Sequence, residues 1–96
     1  MAARRHLRPP LVVTPAPVAS YSSLEIKACD YATTASYVKL VMTQPTATAV
    51  SSAPVDAGGC VAAAWNSNAA GAYSLDAYQL IDGKSIWVGH TTFTCQ

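Results

Sequence analysis

At 96 residues, with 51% hydrophobic and only 11% charged side chains, the chain has room for one domain with a thin core. A domain of this size buries about 60 to 65% of the surface its unfolded chain exposes, so the chain holds one core, or part of one shared with a neighbour. The charged fraction lies well below the roughly 25% usual for soluble domains, and the net charge is +1; together these exclude a broadly basic nucleic-acid binder and an acidic, self-solvating chain.

The first twenty residues, MAARRHLRPPLVVTPAPVAS, differ in kind from the rest of the chain. Arg4, Arg5 and Arg8 stand there without an acid, a net +3, whereas residues 21–96 carry a net −2. The basic start suits an export signal, but Pro9, Pro10, Pro15 and Pro17 break the apolar run that such a signal needs over roughly 7 to 15 residues. No stretch approaches the ~18 to 20 apolar residues of a helical membrane span. Proline fixes φ and pushes its predecessor to extended geometry, so the segment reads as a stiff arm with a reach of roughly 60 Å. Leu11, Val12, Val13 and Val18 give the arm apolar handles that a solvated tail would not need.

Alternation begins at Ser22. Leu24, Ile26 and Ala28 fall on one face with Glu25, Lys27 and Cys29 on the other, and Val38, Leu40 and Met42 alternate with Tyr37, Lys39 and Val41. That period predicts two strands, joined by a polar loop over 30–36. Residues 43–59, rich in Thr, Ala, Ser and Pro, read as a long loop or edge segment, because Pro45 and Pro54 do not suit a central strand. A further strand is expected over Cys60–Trp65, limited by the glycines before it and the Asn-Ser-Asn after it.

The strongest local signal is Asp82-Gly83 between two β-rich runs, a hairpin turn that needs positive φ at both central positions. Unbroken pairing from that turn sets Ile81 opposite Lys84, Tyr78 opposite Trp87, Ala77 opposite Val88 and Leu75 opposite His90.

Candidate chemistry is sparse. Ser74, Asp76 and His90 are the residue types of a hydrolytic trio, but with Leu75 opposite His90 the serine and the aspartate point away from the imidazole. No enzymatic activity is therefore expected. The five glycines match no phosphate loop or dinucleotide fingerprint, so no cofactor is expected. Three cysteines, Cys29, Cys60 and Cys95, suit reduced thiols or one bridge plus a spare, with buried, inert thiols the favoured reading. Neither they nor His6 and His90 have zinc-ligand spacing. Tyr73, Tyr78, Trp65, Trp87 and Phe93 read as core, with an exposed stacking platform, its contact face Trp65, Trp87, Tyr73 and Tyr78, as the rival reading.

The expected fold is mainly β: a small antiparallel sandwich or barrel-like domain over 21–96, preceded by an extended basic arm over 1–20. In this architecture the chain resembles the small decoration, or cement, proteins of tailed-phage capsids. That resemblance implies a non-enzymatic protein of the virion surface, cytoplasmic before assembly, that clamps protein subunits and forms oligomers, without membrane or nucleic-acid partners. It gives Arg4, Arg5 and Arg8 to acidic patches on the partner, and Leu11, Val12, Val13 and Val18 to strand addition and apolar contact. The competing class is an extracellular binding module for carbohydrate or protein, stapled by one disulfide and using the surface aromatics.

Overall fold

The computed structural model describes residues 11–96, and within them every regular element is a strand. In chain order these are β1 (Val12–Thr14), β2 (Ser23–Ala28), β3 (Tyr37–Thr43), β4 (Thr48–Pro54), β5 (Val61–Asn66), β6 (Gly71–Ile81) and β7 (Lys84–Cys95). They form two antiparallel sheets, one of three strands in the order β1-β2-β5 and one of four in the order β4-β3-β6-β7. The chain changes sheet after β2, β4 and β5, while β3–β4 and β6–β7 are hairpins within the larger sheet.

The two-residue period explains why these segments pair. Leu24, Ile26 and Ala28 of β2 turn inward, as do Val38, Leu40 and Met42 of β3 and Tyr73, Leu75 and Ala77 of β6. All nine belong to one buried cluster between the sheets, and a slip of one residue in any of these strands would turn its whole apolar set to water. The loop from β2 to β3 is held from below: the buried Gln79 side chain accepts from Ala32 N at 3.1 Å and donates to Ala32 O at 2.9 Å. Burial pushes the phenol of Tyr31 in the same loop up to about 12, and its hydroxyl is buried without a partner among the described residues.

Residues 11–20 are sewn into the sandwich. Val12, Val13 and Thr14 pair with Lys27, Ile26 and Glu25. The chain then changes sheets, and Val18 lies parallel to Cys95, donating its N–H to Thr94 O at 3.3 Å and accepting from Gln96 N at 2.9 Å. Leu11 and Val18 are spent in the molecule's own core, Val13 is half-buried, and only Val12 is well exposed. Residues 11–20 thus pair and pack with the strands that follow them. Two buried aliphatics and the backbone hydrogen bonds to β2 and β7 together offset the cost of ordering a segment that Pro15 and Pro17 already restrict. Arg4, Arg5 and Arg8 lie outside the described residues.

The β6–β7 hairpin turns at Asp82 and Gly83, with φ of 52° and 78°. Tyr78 faces Trp87 as the unbroken register requires, but there the ladder shifts: Ala77 pairs with Gly89 and Asp76 with His90, leaving Val88 as the extra residue of a β-bulge. The expected pairs Ala77–Val88 and Leu75–His90 are thus corrected. The reason is apolar phase. Without the bulge, Phe93 and Cys95 would face water and His90, Thr92 and Thr94 would face the core.

The cysteine expectation is corrected as well. Cys29 and Cys60, flanking the paired residues Ala28 and Val61, are joined by a disulfide, and the buried Cys95 is the free thiol. The turn that delivers Cys60 is built on Asp56, whose Oδ1 accepts from Gly58 N and Cys60 N at 2.9 Å each. Gly59 completes it at φ +81°, its carbonyl accepting from Tyr31 N at 2.9 Å. A Cβ at position 59 would lie 2.8 Å from Tyr31 O, against rigid backbone. Gly59→Ala is therefore expected to destabilise the fold by about 1 to 3 kcal/mol, read as a lower urea midpoint; an unchanged midpoint would show that the turn yields freely.

Candidate binding face

Because Val38, Leu40 and Met42 point inward, their neighbours on β3 point out, and the register carries that choice across the larger sheet. Three complete rows cross the outer face. The first is Thr48, Thr43, Ser74 and Thr92; the second Val50, Val41, Asp76 and His90; the third Ser52, Lys39, Tyr78 and Trp87. One end of the face is thus a carpet of hydroxyls and the other is aromatic, with few charges between.

A hydrogen-bonded cluster orders the aromatic end. Asp76 Oδ1 accepts from Trp87 Nε1 at 3.0 Å and lies 2.7 Å from His90 Nδ1. A carboxylate can only accept there, so the imidazole proton sits on Nδ1. The Trp87 and His90 rings are 6.0 Å apart and tilted by 59°. Next to them Lys39 Nζ stands 5.6 Å from the Tyr78 ring centroid, within cation–π range.

The bulge brings Ser74, Asp76 and His90 onto one face, which corrects the expectation that they point apart. Only half of a catalytic relay results. Asp76 and His90 touch, and among the described residues no hydrogen bond joins the Ser74 hydroxyl to the imidazole. The cluster acts as a brace that fixes the indole on the sheet.

Of the seven large apolar side chains exposed among the described residues, four lie on this face: Tyr37 at 59%, Val50 at 61%, Leu80 at 67% and Trp87 at 41%. At the hydroxyl end an open depression of about 380 Å³ is lined by Thr43, Ser74, Thr92 and Thr94 together with Tyr73 and Phe93, whose rings stack at 5.2 Å.

The four aromatics singled out in the sequence divide. Tyr73 is fully buried and Trp65 packs half-buried against the core, while Tyr78 and Trp87 form a cross-strand pair on the outer face. Sequence reasoning missed Lys39 and Val50 as members of this surface, and it missed the Asp76–His90 contact. The signal for that contact was present in Phe93 and Cys95, two apolar residues that fit the core only if the ladder shifts before them.

Among the described residues no cluster of three His, Cys, Asp or Glu is placed to hold a metal ion, and no helix is long and apolar enough to cross a membrane. In comparison with known proteins, the chain matches no family model, no curated protein and no solved structure.

Proposed function

We propose that the chain is a non-enzymatic docking protein that attaches to and stabilises a larger protein assembly, in the manner of a capsid decoration protein, and that it docks through the outer face of its four-stranded sheet. The observation that carries this reading is the gathering of Tyr37, Val50, Leu80 and Trp87 on one side of a sheet whose charges are few. Exposed apolar side chains concentrated on one face mark an interaction surface, and aromatic residues dominate the energetics of such contacts. Two of the four apolar residues expected to grip the partner, Leu11 and Val18, serve the internal core instead. Docking therefore falls to the sheet, with Arg4, Arg5 and Arg8 as the proposed contacts to acidic patches and Val12 and Val13 as the apolar residues of β1 left to assist.

Two observations favour the second reading, an extracellular carbohydrate-binding module. The Cys29–Cys60 bridge with one free thiol is the staple expected of that class, and a Tyr–Trp pair beside Asp76 and Lys39 offers rings for a sugar's C–H face and polar groups for its hydroxyls. The test uses empty capsids assembled from a tailed-phage major capsid protein. The wild-type protein should co-sediment with them, and Tyr37→Ser/Leu80→Ser, which alters only exposed side chains, should weaken binding at least about tenfold, or 1.4 kcal/mol. Equal pelleting of the variant would remove this face from docking. No pelleting, with a saturable change in tryptophan emission on adding cellotetraose or chitotetraose, would replace the first reading by the second.

A further inference from the structure

A sheet is safest when its edges are short, bulged, charged or covered, because an unpaired strand edge is a template for another strand. Three edges of this sandwich meet such a condition. β1 is only three residues long and runs into Pro15 and Pro17. β7 carries the bulge at Val88 and begins with Lys84. β5 approaches β4 where the two sheets meet.

β4 shares the approach to β5 at the seam and ends in Pro54, but from Thr48 to Ala53 it is neither short, bulged nor charged. It pairs with β3 in an unbroken register from Tyr37 opposite Pro54 to Thr43 opposite Thr48. From Thr43 to Val55 there is no charged residue. Among the described residues its backbone hydrogen bonds run to β3, and it closes one end of the larger sheet. Val50, Ser51 and Ser52 at its centre are all exposed.

We infer that β4 pairs antiparallel with β4 of a second copy of this chain, joining two four-stranded sheets into one continuous sheet. Charge points to the second copy as occupant. In a two-fold interface each residue meets its own counterpart or a near neighbour, so any central charge would face its like; an uncharged strand is its own complement. Symmetry about Ser51 sets Val50 opposite the second copy's Ser52, and outward side chains stay outward in both copies. The backbone hydrogen bonds supply the affinity, as in other strand additions. The pairing is independent of the docking reading. Its consequence for that reading is valency: two outer faces lie side by side and act together on a repetitive surface.

Sedimentation equilibrium tests it, since one chain weighs 10.0 kDa. The wild-type protein should show twice that mass at high concentration and dissociate on dilution. Val50→Lys/Ser52→Lys sets lysines against lysines across the two-fold and should restore the single-chain mass with an unchanged circular dichroism spectrum. Thr33→Lys/Thr34→Lys adds the same charge on the exposed β2–β3 loop and should leave the dimer intact. A wild-type protein that stays monomeric up to its solubility limit overturns the inference. So does a β4 variant that remains dimeric, a loop variant that dissociates equally, or growth past the dimer into open-ended aggregates. Failure of the wild-type protein to bind capsids while it still dimerises would count against the docking reading alone.

Discussion

Replacing Tyr73 with alanine is expected to remove most of the stability of this domain, and replacing it with phenylalanine to remove a distinct, smaller share. Tyr73 is among the largest fully buried side chains, and its ring stacks on Phe93. Its hydroxyl donates to Ala69 O at 2.7 Å and accepts from Asn68 N at 3.1 Å. That pattern is a tyrosine corner: a phenol at the start of a strand closes the loop that enters from the opposite sheet. Tyr73→Phe keeps the ring but strands two backbone groups, a cost of about 1 to 3 kcal/mol. Tyr73→Ala adds the loss of an aromatic ring from the core, about 3 to 5 kcal/mol, in a domain whose total stability is on the order of 5 to 14 kcal/mol. Urea denaturation followed by circular dichroism measures both. A phenylalanine variant as stable as the parent would mean that Asn68 and Ala69 find other partners and that the corner contributes nothing.

The second large effect is expected at the disulfide. Cys29 and Cys60 are 31 residues apart, and closing a loop of that length lowers the entropy of the unfolded chain by the equivalent of about 3 to 4 kcal/mol. Cys29→Ser/Cys60→Ser should lose that amount, and wild-type protein held in dithiothreitol should lose the same. The agreement matters, because a larger loss in the variant alone would point to damage at the turn built on Asp56 rather than to the missing link. Thiol titration in denaturant should find one reactive group, Cys95, before reduction and three after it. Three before reduction would show that the bridge does not form.

Much of this architecture was legible because the two-residue period is clean where both ends of a strand obey it. Leu24, Ile26 and Ala28, and Val38, Leu40 and Met42, announce their strands and their inward face. Asp82-Gly83 announces its turn. The failures share a cause: each depends on which residues the finished core still needs. Leu11 and Val18 resemble handles for a partner until the core is seen to take them. Val88 looks like an ordinary strand residue until Phe93 and Cys95 require the change of phase that makes it a bulge. Three cysteines cannot reveal their pairing until β2 and β5 are known to be neighbours. The candidate face was illegible for the same reason, since Lys39, Val50, Asp76 and His90 meet only after four strands have chosen their register.

Val18 lies beside Cys95, two residues from opposite parts of the chain, so that contact closes a loop of nearly the whole described chain. Local pieces such as the β6–β7 hairpin can form early, but the seam between the sheets closes only when distant segments have found each other, so assembly belongs to the slow, milliseconds-to-seconds class of all-β proteins. During that interval Val18, which the finished fold leaves only 1% exposed, stands open to water.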